Sequence, residues 1–185
     1  MTVRVSKPEF NLREKLTELD YDRVPYEKMP PGTIIQVVDH KANNSPTTNS
    51  SSYSDITGTF FDIYPKFNTS KIFVSWDFGT EHNGTINGLA FRVRRKINDG
   101  TGTLLKTQDQ FSYPTQTGWG SGAGGVNITY IDTPYSTSTS QVPNKLTYYL
   151  QWHVELSGTY YINYNDDSGT AAKDGIAAQA MEIRQ

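Results

Sequence analysis

The three histidines, His40, His82 and His153, are the side chains of this sequence best suited to metal binding or acid–base chemistry. Local metal sites commonly pair histidines two or four positions apart, and none of the three has such a neighbour. His153 alternates with Gln151 and Glu155 on the polar side of a strand-like stretch, where a cross-strand hydrogen bond is the ordinary role. The spacing therefore predicts no metal site, and we expect no cofactor.

The glycine-rich run at residues 118–125 (GWGSGAGG) is the next candidate for a ligand-binding site, since glycine-rich loops can bind phosphate. Glycines form a phosphate loop in front of a helix N-terminus, together with a Lys-Ser or Lys-Thr pair. This run lacks that pair, and residues 126–132 (VNITYID) after it have the pattern of a strand. We interpret residues 108–125 as a surface loop, in which Trp119 either covers the core as a lid or contacts a carbohydrate or a partner.

Catalysis has no clear signature in this chain. The sequence has no cysteine, and its serines lie mostly in low-complexity segments without a nucleophile elbow. Residues 166–169 (DDSG) begin like a calcium loop but lack its alternating ligands and its distal Glu. We predict a protein that is not an enzyme. The alternative of a surface-polysaccharide hydrolase requires two carboxylates roughly 5 to 9.5 Å apart, which sequence spacing cannot show.

Length and composition indicate one domain with an appendage and no bias towards polyanions. The chain has 185 residues, of which 19% are charged, and a net charge of −2. This balance predicts neither a nucleic-acid partner nor a membrane partner. The N-terminal MTVRVSKPEF has no apolar run of signal-peptide length, and no window is apolar enough for a transmembrane helix. We therefore expect a soluble protein that is made in a cytoplasm.

Residues 1–33 differ from the rest of the chain because most of the helix-compatible sequence lies there. A capping box at Ser6 and Glu9 precedes a leucine stripe, and together they predict one short amphipathic helix over residues 8–19. The stripe consists of Leu12, Leu16 and Leu19. Residues 24–32 are rich in proline and predict an extended arm that ends in a turn. The helix is either a docking peptide for another protein or a cap on the domain's own barrel.

Residues 34–185 have the pattern of an antiparallel β-sandwich. The best strand is residues 145–156, with six apolar side chains on one face and polar ones on the other. The apolar face consists of Leu146, Tyr148, Leu150, Trp152, Val154 and Leu156. The other predicted strands are residues 33–40, 56–65, 71–83, 88–96, 103–106, 126–132, 159–164 and 176–183. Short turns between them exclude crossover helices, which predicts an all-β jelly roll of roughly eight or nine strands.

Three further patterns bear on surfaces. The first strand is apolar on both sides, so we expect it to be covered on both sides. Residues 41–55 form a polar low-complexity loop with Tyr53 as its one apolar anchor. Small residues in the terminal strand 176–183 indicate close backbone approach, either within the barrel or at a subunit axis.

Three blocks of the chain resemble virion structural proteins of marine tailed phages, especially cyanophages. Residues 3–38 (VRVSKPEFNLREKLTELDYDRVPYEKMPPGTIIQVV) resemble their N-terminal leader. Residues 53–78 (YSDITGTFFDIYPKFNTSKIFVSWDF) are similar to strands and a polar turn of phage fibre and knob domains, and residues 146–185 to the closing hairpin and final strand of such domains. The resemblance implies a trimeric jelly roll, related in shape to the tumour-necrosis-factor and complement globular heads.

The resemblance also implies a role for each part of the chain. Residues 1–33 would attach the protein to other virion proteins, and residues 34–185 would form an outward knob. The implied docking contacts are Phe10, Leu12, Leu16, Leu19, Tyr26 and Met29. The candidates for surface recognition, on or near the two long loops, are Tyr53, Phe111, Tyr113 and Trp119.

A tail fibre normally carries a long shaft, which this chain lacks. This difference favours a capsid decoration, either a trimeric capsid-bound knob or a short head fibre. We expect such a protein to be assembled in the host cytoplasm and located in the virion. The alternative is a tail-tip or tail-fibre module that recognises a host surface glycan or protein. Binding to host-cell glycans would distinguish the two.

Overall fold

The protein is an all-β sandwich. The computed structural model describes residues 26–83, 88–108, 119–134, 145–155, 158–162, 164–165, 170–171 and 175–185. The predicted helix over residues 8–19 lies outside these ranges. Within them the only helical segment is a short 3₁₀ helix at Tyr26–Lys28, and no helix is long and apolar enough to cross a membrane.

In chain order the described strands are β1 (Ile34–Ala42), β2 (Thr47–Thr48), β3 (Ser54–Asp55), β4 (Phe61–Ile63), β5 (Lys71–Asn83), β6 (Leu89–Ile97), β7 (Thr103–Gln108), β8 (Trp119–Asp132), β9 (Leu146–Val154), β10 (Thr159–Ile162), β11 (Tyr164–Asn165), β12 (Thr170–Ala171) and β13 (Ile176–Ile183). Predicted strands 71–83 and 176–183 are confirmed at both ends. β11 and β12 pair with each other as a small separate hairpin.

The long strands form two antiparallel sheets in jelly-roll order. Sheet A runs β1, β13, β5, β8, with β10 beside the far end of β5 and β2 beside β10. Sheet B runs β4, β9, β6, β7, with β3 also on β9. Numbered one to eight along the chain, the main strands are β1, β4, β5, β6, β7, β8, β9 and β13. Their order is then 1-8-3-6 in one sheet and 2-7-4-5 in the other, which confirms the predicted jelly roll.

The core lies between the inner faces of the two sheets. The predicted apolar face of β9 is confirmed from Leu146 to Val154, and Leu156 lies outside the described residues. From sheet A, Trp76 is fully buried opposite this face, and its indole N–H donates to the Thr59 carbonyl at 3.0 Å. A buried indole needs such an acceptor, so this bond ties the centre of sheet A to the chain before β4.

The predicted strand 56–65 is wrong over its first half, because residues 56–59 form a turn. The N–H and hydroxyl of Thr59 both donate to the Ile56 carbonyl, and Gly58 has φ +90°. The Thr59 hydroxyl also accepts from the Leu150 N–H of β9 at 3.1 Å. Side-chain bonds from threonine compete with ladder pairing, so the strand begins only at Phe61.

The predicted loop 108–125 is also shorter than expected, because β8 begins at Trp119. The glycine-rich residues pair with the far half of β5, for example Gly125 with Gly79 and Gly124 with Thr80. Ladder hydrogen bonds use only the backbone, so a long partner strand can hold a segment whose side chains predict no strand. Residues 109–118 of the predicted loop lie outside the described residues.

Tyr149 lies on the side of β9 predicted to be polar, yet it is buried. Its ring stacks on Phe60 with centroids 4.6 Å apart and an interplanar angle of 8°. Its hydroxyl occupies the space that a side chain at Gly102 would fill. Burial raises the pKa of the Tyr149 phenol above its usual value of 10.0, because a phenolate would lose hydration there.

The end of β13 is held by a buried carboxylate. Glu182 is fully buried and accepts hydrogen bonds from the backbone N–H groups of Lys66 and Phe67 at 2.8 to 3.0 Å. The Ser70 hydroxyl and the Gln36 amide donate to it as well, each at 2.7 Å. These four donors belong to β1 and to the connection between β4 and β5. The carboxylate therefore joins three parts of the chain that are far apart in sequence.

A second buried carboxylate joins the two sheets. Asp132, at the end of β8 in sheet A, receives a hydrogen bond at 2.6 Å from Arg95 of sheet B. The Tyr148 hydroxyl of sheet B donates to the same oxygen at 2.7 Å. With both donors in place the charge of Asp132 is paired and hydrogen-bonded, as a buried charge must be.

We predict that Glu182→Gln lowers the free energy of unfolding by about 2 kcal/mol. The substitution replaces one carboxylate oxygen, which accepts hydrogen bonds, with an amide NH₂ group, which can only donate them. Urea unfolding at neutral pH measures this difference. The matched control is Glu155→Gln, at an exposed acid beyond the end of β9, which should change stability by less than about 0.5 kcal/mol. Equal effects of the two variants would contradict the role of Glu182.

We predict that Tyr149 contributes to stability at neutral pH and that this contribution is lost at high pH. Its folded pKa is raised, so the unfolded chain loses the phenolic proton first. The contribution is therefore complete below about pH 10 and disappears as pH rises through the raised folded value. Urea unfolding of the wild type and of Tyr149→Phe between pH 8 and 12 checks this. The wild type should lose more stability than the variant, and parallel curves would contradict the prediction.

Candidate functional site

The outer face of sheet A carries an uncovered row of apolar side chains. Val37 pairs with Met181, Met181 with Phe73, and Phe73 with Ile131. Paired residues of neighbouring strands point to the same face, so these four side chains form one line across β1, β13, β5 and β8. The line crosses three strand spacings, about 14 Å in all. We call Val37, Met181, Phe73 and Ile131 the apolar row.

The ends of the apolar row are strongly exposed. Val37 is 47% exposed and Ile131 is 55% exposed, while Met181 and Phe73 are half-buried. Ile34 is 50% exposed at the start of β1 and pairs with Ile183 of β13, which extends the apolar area towards that end. An uncovered apolar area of this kind is common at protein–protein contacts.

The expectation that the first strand is covered on both sides is therefore wrong within the described chain. Ile35 is buried and Val38 packs against the core, but Ile34 and Val37 face outwards. A register shift between Ile34 and Gln36 indicates a β-bulge. Because of this extra residue, Ile34 and Val37 lie on the same outer face although they are three positions apart.

Next to the apolar row the outer face becomes polar and shallow. Asp39, Gln179, Ser75 and Thr129 form the adjacent row, and the Gln179 amide donates to Asp39 at 2.7 Å. Beyond it an open depression of about 470 Å³ is lined in part by Lys41, Asp77 and Ala177. Within the described ranges no group of three or more His, Cys, Asp or Glu side chains could hold a metal ion. The geometry here suits contact with a surface rather than enclosure of a small ligand.

The small residues of β13 have a simpler explanation than a subunit axis. Ala178 and Ala180 face the core, and Ala178 lies beside Trp76 of β5. A large indole needs small neighbours on the adjacent strand at native packing density. Ala177 points outwards on the described part of the sheet, so the alanines alone give little information about association.

The described part of the N-terminal arm joins sheet A beside the end of β13. Tyr26 is 43% exposed and Met29 is half-buried. Residues 30–33 form the predicted turn, with φ +88° at Gly32 and a hydrogen bond from the Thr33 N–H to the Pro30 carbonyl. Arg184 exchanges backbone bonds with Gly32 and Thr33, which fixes the arm to the end of β13. The other docking candidates, Phe10, Leu12, Leu16 and Leu19, lie outside the described residues.

The four recognition candidates are not brought together in the described chain. Phe111 and Tyr113 lie outside it, and Trp119 is placed only by its backbone, which pairs with Asn83. The Tyr53 ring lies 3.5 Å from the Arg92 guanidinium and 4.2 Å from the His153 ring. The Tyr53 ring therefore packs against Arg92 and His153. The recognition role of these four residues stays a prediction.

The two histidines whose side chains are described, His40 and His153, lie in different sheets. The His40 ring lies 3.0 Å from the Gly58 carbonyl, and His153 contacts Tyr53 on the opposite sheet. His82 is placed in β5 by its backbone alone.

Sequence reasoning missed a group of cations on the outer face of sheet B. Arg92, Arg94 and Lys96 occupy alternating positions of β6 and face the same way, above the stacked rings of Phe60 and Tyr149 and above Tyr53. The segment RVRRK could have predicted this group. Side chains alternate between the two faces of a strand, so Arg92, Arg94 and Lys96 lie on one face and Arg95 lies on the other.

Comparisons with known proteins show no family. No family model matches the chain, and no curated protein matches it. Among solved structures, one match is a chain in the structure of infectious bursal disease virus, Gx strain, with a TM-score of 0.36 and 8% sequence identity. The match covers 80% of this chain and 37% of that chain, so the present protein spans little more than a third of its length.

Proposed function

We propose that this protein is a non-enzymatic structural component of a bacteriophage virion, a homotrimeric knob or short head fibre that its N-terminal arm anchors to other virion proteins. The proposal combines the sequence resemblance to phage leader and knob blocks with the jelly-roll strand order of the domain. The observation that carries it is the apolar row on the outer face of sheet A.

The apolar row supports association because the described residues leave its two ends, Val37 and Ile131, exposed. The centre of the inner face of the same sheet is fully buried, with Val74, Trp76 and Ala180 at 0% exposure. Burying apolar surface contributes about 25 cal/mol per Å². A neighbouring copy that covers Val37 and Ile131 gains this free energy, whereas the isolated chain leaves both side chains in water. The proposed occupant of the row is thus a second and a third copy of the chain.

The arm lies in a suitable place for attachment to a particle. Gly32 and Thr33 are hydrogen-bonded to the backbone of Arg184, so the arm joins the domain at one defined corner of sheet A. In the proposed trimer three such arms emerge from the same end and bind the particle together. Three linked contacts bind more tightly than one, because the second and third are intramolecular.

The alternative role, a tail-tip module that recognises a host surface glycan or protein, would use the same trimer. The two roles differ in where the protein lies on the particle, which electron microscopy of assembled particles distinguishes.

We predict that Ile131→Lys converts the protein from a trimer of about three times 20.8 kDa into a monomer of 20.8 kDa. Ile131 is 55% exposed in the single chain, so the variant should fold normally, but a buried ammonium in the interface is unfavourable. Sedimentation equilibrium measures the mass. Association should weaken at least tenfold, which corresponds to about 1.4 kcal/mol.

The matched control is Leu104→Lys, which makes a similar change at a side chain with 46% exposure on edge strand β7 of sheet B. This variant should remain trimeric. A monomeric wild type, or an Ile131→Lys variant as trimeric as the control, would exclude the apolar row as the interface.

We predict that deletion of Met1–Pro30 leaves a folded and soluble trimer that no longer joins particles. The sandwich core lies after these residues, so the thermal midpoint should change little. Incorporation is measured by assembly in infected cells followed by particle purification. Full-length Leu16→Asp is the control that keeps the length of the arm, and it should also fail to incorporate if the leucine stripe docks.

Incorporation of the truncated chain would contradict docking by the arm. A marked loss of thermal stability on deletion, with the same loss in Leu16→Asp, would instead indicate that the predicted helix caps its own domain.

A further inference from the structure

The outward side of β6 presents three cations in a line. Arg92, Arg94 and Lys96 are alternate residues of this strand, so they share one face. Alternate residues of a strand lie about 6.6 to 6.8 Å apart, which makes the line about 13 Å long. The intervening Arg95 points inwards to Asp132. We call Arg92, Arg94 and Lys96 the cationic stripe.

No carboxylate neutralises the cationic stripe in the described ranges. The ion pairs there involve Arg95 and Lys145 and none of the three stripe residues. Asp55 lies on the same sheet but accepts from the Gln151 amide at 2.7 Å. The Nε atoms of Arg92 and Arg94 are buried without a hydrogen-bond partner among the described residues. A chain of net charge −2 therefore concentrates three positive charges on one face of one strand.

Aromatic rings and carbonyl groups hold the stripe in position. The Arg92 guanidinium lies 3.5 Å from the Tyr53 ring centroid, and Lys96 Nζ lies 5.2 Å from the Tyr149 centroid. Arg94 donates through Nη2 to the Gly102 carbonyl at 2.6 Å. Contacts of this kind restrict long side chains before any ligand arrives, which lowers the entropic cost of binding.

The surroundings of the stripe restrict the class of anionic partner. β6 is hydrogen-bonded to β9 on one side and to β7 on the other, so an acidic peptide cannot join it as an added strand. Nucleobases need free ring faces for stacking, but Arg92 covers Tyr53, and Phe60 and Tyr149 stack on each other. Exposed Thr107 lies beside Arg92 and adds a hydroxyl to the flat face.

We propose that the outer face of sheet B is a binding site for a linear polysaccharide that carries carboxylate, sulfate or phosphate groups. The cationic stripe pairs with successive anionic groups, and neighbouring hydroxyl and amide groups contact the sugar hydroxyls. Guanidinium groups suit this role because their planar fork of donors matches the oxygens of these anions. The site lies on the opposite side of the sandwich from the apolar row, so it is equally accessible in a monomer and in the proposed trimer.

The test measures binding of full-length protein to heparin and to polygalacturonate by titration calorimetry, with dextran as the neutral polymer. Binding to both charged polymers and not to dextran is expected. Arg92→Gln with Lys96→Gln should weaken binding at least tenfold. The slope of log affinity against log salt concentration should also fall by about 1 to 2, because two fewer cations release counterions.

The charge-matched control is Lys41→Gln with Lys66→Gln, which removes two exposed cations far from the stripe and should change affinity less than twofold. If the stripe double variant does not fold, Lys96→Gln alone carries the test, with an expected loss of about threefold. Absence of binding by the wild type, or an equal loss in the control pair, would overturn the proposal. Equally tight binding of single-stranded DNA of the same charge would overturn the assignment to carbohydrate.

Discussion

The hydrogen bonds to the buried carboxylate of Glu182 are the interaction on which the arrangement of sheet A depends. The carboxylate has to face inwards, because its donors, the N–H groups of Lys66 and Phe67 and the side chains of Ser70 and Gln36, lie inside. On a strand the neighbours of an inward residue point outwards. Met181 and Ile183 are thereby committed to the outer face, and a slip of one residue would bury them and expose the charge.

The two outer faces of the sandwich differ in their chemistry. Sheet A exposes aliphatic side chains at both edges, Val37 on β1 and Ile131 on β8. Sheet B instead exposes cations that rest on aromatic rings, as at Arg92 and Tyr53. An apolar face gains free energy when it is covered, whereas a charged face loses hydration when it is covered without a partner. Self-association through sheet A and ligand binding through sheet B are therefore compatible in one molecule.

The net charge and the overall content of charged residues do not reveal this difference between the outer faces of sheets A and B. The net charge of −2 and the moderate content of charged residues give no indication of a polyanion site. The described carboxylates Asp62, Asp99 and Asp132 pair with Lys145 and with Arg95 of β6, whereas the other three cations of β6 have no carboxylate partner in the described residues. Local potential depends on which charges are neutralised by neighbours, and pairing between distant strands decides that.

The sequence by itself determined the fold class, the apolar face of β9 from Leu146 to Val154, and the limits of β5 and β13, because period-two alternation is a local property that survives in any packing. The tertiary structure alone decided that a turn at Thr59 delays the start of a predicted strand, that glycine-rich residues from position 119 join β8, and that the described chain leaves one side of β1 uncovered. These outcomes depend on backbone partners and neighbouring sheets that are distant in sequence, so no local pattern encodes them.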